Sequence, residues 1–108
     1  MSSPPCIAYC TCPDSDCAER IAGVLVNEGL AACVSLLPNA KSVYRWDGKL
    51  CQDTEVLMMI KTTQARLKAL EARLLEEHPY DVPELIVVPV IAGSEEYLQW
   101  MDSCTANS

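Results

Sequence analysis

The sequence predicts one α+β domain, a split β-α-β sandwich of four antiparallel strands with both helices on one face. Three observations carry that expectation. Extended and helical apolar patterns alternate in the order β-α-β-β-α-β. The middle of the chain holds two long β-rich runs, Ala31 to Trp46 and Lys49 to Lys61, joined by Asp47-Gly48, a pair that supplies the positive φ angles of a tight two-residue turn. Right-handed crossovers and short connections leave few ways to assemble that order, and the simplest is this ferredoxin-like arrangement.

Each element has a local reason. Ile7 to Thr11 is a short apolar strand, followed by Pro13-Asp14-Ser15-Asp16 as turn and capping residues, with Asp16 and Glu19 at capping-box spacing. Ala18, Ile21, Ala22 and Leu25 then mark the buried face of a first helix, and Gly29 stops it. Pro38 and Asn39 predict a kink within the first hairpin arm. Thr62 or Thr63 caps a second helix whose inner stripe is Leu67, Leu70 and Leu74, and Pro79 ends it. Leu85 to Val88 is the last core strand. Pro89 cannot donate to a ladder, which puts that strand at an edge or breaks it at a bulge. Glu95 to Met101 is a terminal element, helix or strand. One domain spans 1–108, with its core at about 7–101 and frayed ends at 1–5 and 105–108.

The hairpin is too long for its domain. An arm of thirteen residues at about 3.3 Å per residue reaches roughly 40 Å, whereas a domain of this size has a radius of gyration near ~13 Å. Its far end therefore projects, carrying Val43, Tyr44, Trp46 and Leu50. Uncovered strand edges with such side chains invite aggregation, and a partner subunit pairing with the edge removes the hazard. The expectation is an obligate homo-oligomer.

With 108 residues, half of them hydrophobic, the chain builds one core, and no stretch approaches the ~20 apolar residues of a membrane span. The start, Met1-Ser2-Ser3-Pro4-Pro5, has no basic segment leading into an apolar one, which favours a cytoplasmic address. Seven cysteines, an odd number without paired C-x-x-C spacing, argue against a disulfide framework. The net charge of −7 repels phosphate backbones and anionic membrane surfaces and permits cations.

Five fragments together resemble the CutA divalent-cation-tolerance family: Ala31-Ala32-Cys33-Val34; Tyr44-x-Trp46-x-Gly48; Glu55 followed by Ile60-Lys61-Thr62; His78-Pro79-Tyr80-x-x-Pro83-Glu84-Leu85; and Tyr97-x-x-Trp100. They lie in order from about Ile7 to Met101. The resemblance implies a ferredoxin-like fold of the kind seen in PII signalling proteins, assembled as a homotrimer through intersubunit strand pairing. It also implies a role in divalent-cation tolerance, with copper as the expected metal and zinc as another candidate. The family's copper ligands, a cysteine ending the first strand and two histidines before the Pro-Tyr segment, fall on Cys10, Glu77 and His78. Glu77 departs from that pattern, because a carboxylate is a harder donor than imidazole and suits a soft ion less well.

Independently of the resemblance, Cys6, Ala8, Cys10 and Cys12 share one face of an extended strand, a second arrangement of soft donors. The bland alternatives are a strand filled with small hydrophobes and a histidine that caps helix carbonyls. PII-like trimers use clefts between subunits, and Tyr44, Trp46, Glu55, Lys61, Tyr80 and Glu84, with His78, are the candidates for such a cleft, or else for structural contacts between subunits. Cys10 with His78 matches a thiol hydrolase in residue type only. No nucleophile elbow accompanies the pair and no glycine-rich phosphate loop is present, so the expected activity is binding, not catalysis.

Overall fold

The computed structural model describes residues 3–106. Its elements run β1 (Pro5–Cys12), α1 (Ser15–Asn27), β2 (Cys33–Trp46), β3 (Lys49–Thr63), α2 (Leu67–Glu77), β4 (Ile86–Pro89) and α3 (Glu95–Cys104). The strands form one antiparallel sheet in the order β2-β3-β1-β4. Pairing of side-chain direction with the strand period puts Ala8, Cys10, Cys12, Val56, Met58 and Ile60 on one face, where Ile21 and Leu25 of α1 and Leu70 and Leu74 of α2 cover them.

Local chemistry explains the ends of α1. The carboxylate of Asp14 accepts from the Cys17 N–H at 2.8 Å, so the cap is Asp14 and the expected Asp16–Glu19 capping box is not used. Gly29, at φ 72°, closes the helix while Leu30 N–H returns to the Leu25 carbonyl. Thr62 and Thr63 do not cap α2. Both belong to β3, where Thr62 donates to the Leu30 carbonyl at 2.7 Å and Thr63 meets Thr105. A short 3-10 turn, Gln64–Arg66, leads into α2 in their place.

The hairpin arms match their expected limits to within two residues, and Asp47 and Gly48 both have positive φ. The register slips between Leu37 and Ala40, with Asn39 at φ 64°, which is the kink expected at Pro38-Asn39. β1 accompanies β3 only from Val56 to Thr63, so the hairpin beyond that point is a two-stranded ribbon with no third strand among the described residues. The molecule is accordingly elongated, 47 × 26 × 21 Å.

β4 pairs only with β1, which resolves the Pro89 alternatives in favour of an edge strand. The terminal element is a helix capped by Ser94. The expected fraying does not hold within the described residues. Pro5 pairs with Thr63 in the sheet, the Gln64 N–H donates to the Pro4 carbonyl, the Ser3 N–H donates to Asp102, and Thr105 is buried. Residues 1–2 and 107–108 lie outside the described residues.

Candidate functional site

Two candidate sites lie on opposite faces of β1 near its C-terminal end. The first surrounds His78, the residue after α2. Its extended backbone (φ −80°, ψ 137°) follows from the proline behind it, which disfavours helical geometry, and this swings the imidazole under the end of β1. The Tyr80 N–H donates to Nδ1 at 3.1 Å, so the hydrogen of the neutral ring is on Nε2, which lies 2.8 Å from the Thr11 carbonyl. Both nitrogens are thereby used by backbone. The nearest sulfur is that of Cys12, at 3.8 Å from Nε2 and 3.3 Å from Met58 Sδ.

The two companions expected for His78 are placed differently. Cys10 is fully buried on the helix-facing side of the sheet, its thiol directed at the Thr11 carbonyl at 3.7 Å. Hydrogen bonding with Cys10 and then burial push the Cys12 thiol pKa up, so Cys12 is a protonated thiol in this arrangement. Glu77 is held by two arginines: Arg20 Nη1 at 2.5 Å and Arg73 Nη1 at 2.7 Å. Among the described residues, no group of three or more His, Cys, Asp or Glu side chains is arranged to hold a metal ion. Cys10, Glu77 and His78 thus each have protein partners: the Thr11 carbonyl for Cys10, two arginines for Glu77, and the Thr11 carbonyl and Tyr80 N–H for His78.

The hydrogen bond from Arg73, with the charge of Arg20 beside it, holds the Glu77 carboxyl below its usual range. A carboxylate depressed in the folded state stabilises the fold above its unfolded pKa of about 4.3, and that contribution is lost as pH falls through the lower folded value. Glu77→Gln is thus expected to reduce stability at pH 7, with the loss shrinking as pH falls below about 4.3 and through the lower folded value, read from urea melts at pH 7 and at acid pH. An equal loss at both would assign the effect to packing.

The second site is a cleft of about 720 Å³ between the hairpin and the loop that follows His78. Tyr44 and Trp46 line it from β2, and Tyr80, Asp81, Val82 and Glu84 from the loop. Asp53 and Glu55 of β3 and Thr11 of β1 complete it. His78 sits in the first site instead, and five of the seven residues expected at a cleft between subunits, Tyr44, Trp46, Glu55, Tyr80 and Glu84, meet here within one chain. Lys61 does not. It lies beside Ile7, Tyr97 and Met101 in a smaller depression, with Nζ 3.3 Å from Ser35 Oγ.

Glu55 is only 8 % exposed and accepts from the Tyr80 hydroxyl at 3.0 Å; Tyr44 donates likewise to Asp53. Hydrogen bonding to Asp53 pushes the Tyr44 pKa up to about 12, and burial followed by the bond to Glu55 raises that of Tyr80. Both phenols therefore stay neutral donors, each fixing one oxygen of a carboxylate. The cleft carries four carboxylates, and among the described residues no lysine or arginine lines it. Asp53 was findable from the sequence, since it shares a strand face with Glu55 two residues on; Asp81 and Val82, in an irregular loop, carried no comparable signal.

A four-stranded antiparallel sheet, two helices on one face, a protruding ribbon and an acid-lined cleft along one side of it define a ferredoxin-like protein of the PII-like kind. Residues 6–104 match the family model described as CutA1 divalent ion tolerance protein. The divalent-cation tolerance protein CutA of Pectobacterium atrosepticum is 48% identical over 97 residues, 90% of this chain and 88% of that one. The chloroplastic protein CutA of Arabidopsis thaliana is 41% identical over 104 residues, which cover 96% of this chain and 57% of the plant protein. Among solved structures, CutA1 from Oryza sativa superposes with a TM-score of 0.95 at 40% identity, covering 99% of this chain and 98% of that one. The Cut A1 protein from Thermus thermophilus gives 0.92 at 39% identity, covering 94% and 99%. The chain belongs to the CutA1 divalent-ion tolerance family. That family is named for a tolerance, not for a reaction. Its members carry varied addresses, the one from Archaeoglobus fulgidus being described as periplasmic. Among the described residues no helix is long and apolar enough to cross a membrane.

Proposed function

We propose that this chain works as a homotrimer in the cytoplasm, contributing to divalent-cation tolerance by binding cations, and that it binds them in the cleft. The observation that carries the reading is the lining: Asp53, Glu55, Asp81 and Glu84 converge there without a basic residue among them. Carboxylate oxygens are the preferred donors of hard divalent ions, and a cleft of one sign concentrates ions of the other. The charge of −7 works in the same direction.

A second reading, copper held by soft donors, is favoured by the contact of Cys12 Sγ with both His78 Nε2 and Met58 Sδ. Thiol, imidazole and thioether suit Cu(I) or zinc better than carboxylate does. On this reading Cys10 and His78 are ligands as the family resemblance implies, Cys12 joins them, and Glu77 stays with its arginines.

Calorimetric titration of the reduced, metal-free protein with Mn²⁺, Zn²⁺ and copper, the last against a competing chelator, separates the two. Saturable binding of Mn²⁺ or Zn²⁺, weakened at least tenfold by Glu55→Gln and unchanged in Cys10→Ala, is expected for the cleft. Copper binding abolished by both Cys10→Ala and His78→Ala, and untouched by Glu55→Gln, would move the site to the sulfur cluster. Absence of saturable binding by any of the ions would overturn both.

A further inference from the structure

The cleft is larger and more apolar than an inorganic ion requires. A divalent ion with six waters fills roughly 200 Å³ at about 30 Å³ per water, against about 720 Å³ here, a size within the range of small-molecule pockets. The excess is walled by the indole of Trp46, the rings of Tyr44 and Tyr80, and Val82. Trp46 is 71 % exposed and Val82 85 % exposed, so both present apolar surface outward in the single chain.

The polar groups are equally specific. Tyr80 and Tyr44 each occupy one oxygen of Glu55 and Asp53, which orients these carboxylates without neutralising them. Asp81 and Glu84 make no protein hydrogen bond or ion pair among the described residues. An anion is repelled by this lining, a neutral apolar molecule leaves four carboxylates uncompensated, and a metal ion leaves the aromatic walls unused. An organic cation uses both. Its ammonium groups make charge-assisted hydrogen bonds to carboxylates, and its carbon chain lies against aromatic faces that also attract the positive charge. Four carboxylates exceed what one ammonium balances, so the complementary ligand carries several.

Resting on the proposal that the cleft is the cation site, we infer that it binds a linear aliphatic polyamine. The two tyrosine-held carboxylates receive one ammonium end. Asp81 and Glu84 receive another, and the methylene chain between them packs on Trp46 and Val82.

The test is equilibrium dialysis of the whole protein against spermidine and, separately, Mn²⁺, at about 0.15 M salt, where diffuse surface attraction is largely screened. Spermidine is expected to bind saturably, one per chain, at least tenfold more weakly to Glu55→Gln. Trp46→Leu should weaken spermidine several-fold and leave Mn²⁺ within twofold. Glu71→Gln removes the same charge from the exposed face of α2 and should change neither, with light scattering recording the assembly of each variant. Mn²⁺ binding without spermidine binding overturns this inference and leaves the cleft as a metal-ion site. Binding of neither overturns the inference and the cleft reading together. An equal loss in Glu71→Gln and Glu55→Gln would show only attraction to an acidic protein, and overturns the inference. If Trp46→Leu alters assembly, the comparison of Glu55→Gln with Glu71→Gln decides alone.

Discussion

Replacing His78 with alanine is expected to lower the unfolding free energy by about 3 kcal/mol, since leaving a buried polar group unpaired costs roughly 1–3 kcal/mol and two are stranded. The Thr11 carbonyl loses its 2.8 Å donor and the Tyr80 N–H its acceptor, while the ring's own volume, buried beside Cys12, is left empty. The second consequence is functional. Tyr80 is tied through this ring to the end of β1 and through its hydroxyl to Glu55, so losing the ring loosens one wall of the cleft. His78→Gln keeps a side-chain donor that can reach toward Thr11 and is expected to recover about half of the loss. Urea melts at fixed protein concentration decide the matter, the fixed concentration being needed because assembly contributes to apparent stability. A His78→Ala protein within about 0.5 kcal/mol of the parent, the range of surface substitutions, would mean that the two backbone bonds stabilise little. The imidazole would then be free to serve as a ligand at small cost. With the bonds intact, a metal ion at Nε2 has to displace the Thr11 carbonyl first.

The same neighbourhood shows where sequence reasoning succeeds and stops. The hairpin, its Asp47-Gly48 turn and its kink at Pro38-Asn39 were legible because each is fixed by residues adjacent in the chain. The shared face of Cys6, Ala8, Cys10 and Cys12 was legible for the same reason, and all four are buried together. Which cysteine meets His78 was not, because that contact depends on how the chain leaves α2 and crosses β1, 66 residues away in sequence. Cys12, not Cys10, lies next to the ring. Glu77 repeats the lesson: its partner Arg73 stands at the helical i,i+4 spacing and could have been read, whereas Arg20 arrives from another helix. Lys61 was separable from the cleft by its direction along β3, lying six residues beyond Glu55 away from the turn, whereas Tyr44 and Trp46 lie toward the turn. The open face of the sheet went unread. Register puts Ile7 beside Val88 and Tyr9 between Ile86 and Met59, on the face opposite α1 and α2, where α3 lies beside Ile7 and Lys61, with Ile86 and Val88 exposed in the single chain. An antiparallel sheet can show water one face, and Lys61, Ser35 and Thr11 place polar side chains on this one, but the part formed by Tyr9, Met59, Ile86 and Val88 is apolar.

That face and the ribbon set the largest effect expected of any substitution: Val43→Asp with Leu50→Asp, on the ribbon face away from the cleft, should convert the proposed trimer into monomers at micromolar concentration. Beyond Val56 the hairpin has no third strand among the described residues, and an isolated two-stranded ribbon is marginal in water. Val43 is 59 % and Leu50 73 % exposed on its outer part, and neither lines the cleft. The edge of β2 and the edge of β4 both lack neighbours within the described chain. A neighbouring copy that pairs with a free edge and covers the tip removes these liabilities together. Burying each of the two side chains is worth about 1.5–3 kcal/mol, and putting a carboxylate in its place adds a desolvation cost. A loss of at least about 3 kcal/mol per interface is at least a hundredfold in association. Light scattering after size exclusion reads the result directly: three copies of the 11.9 kDa chain for the parent, one for the double variant. The parent's melting temperature should rise with protein concentration and the variant's should not. A parent chain that is monomeric and stable at micromolar concentration would refute the assembly. The projecting ribbon would then be a surface for a different partner, and the cleft along its side would be complete within one chain.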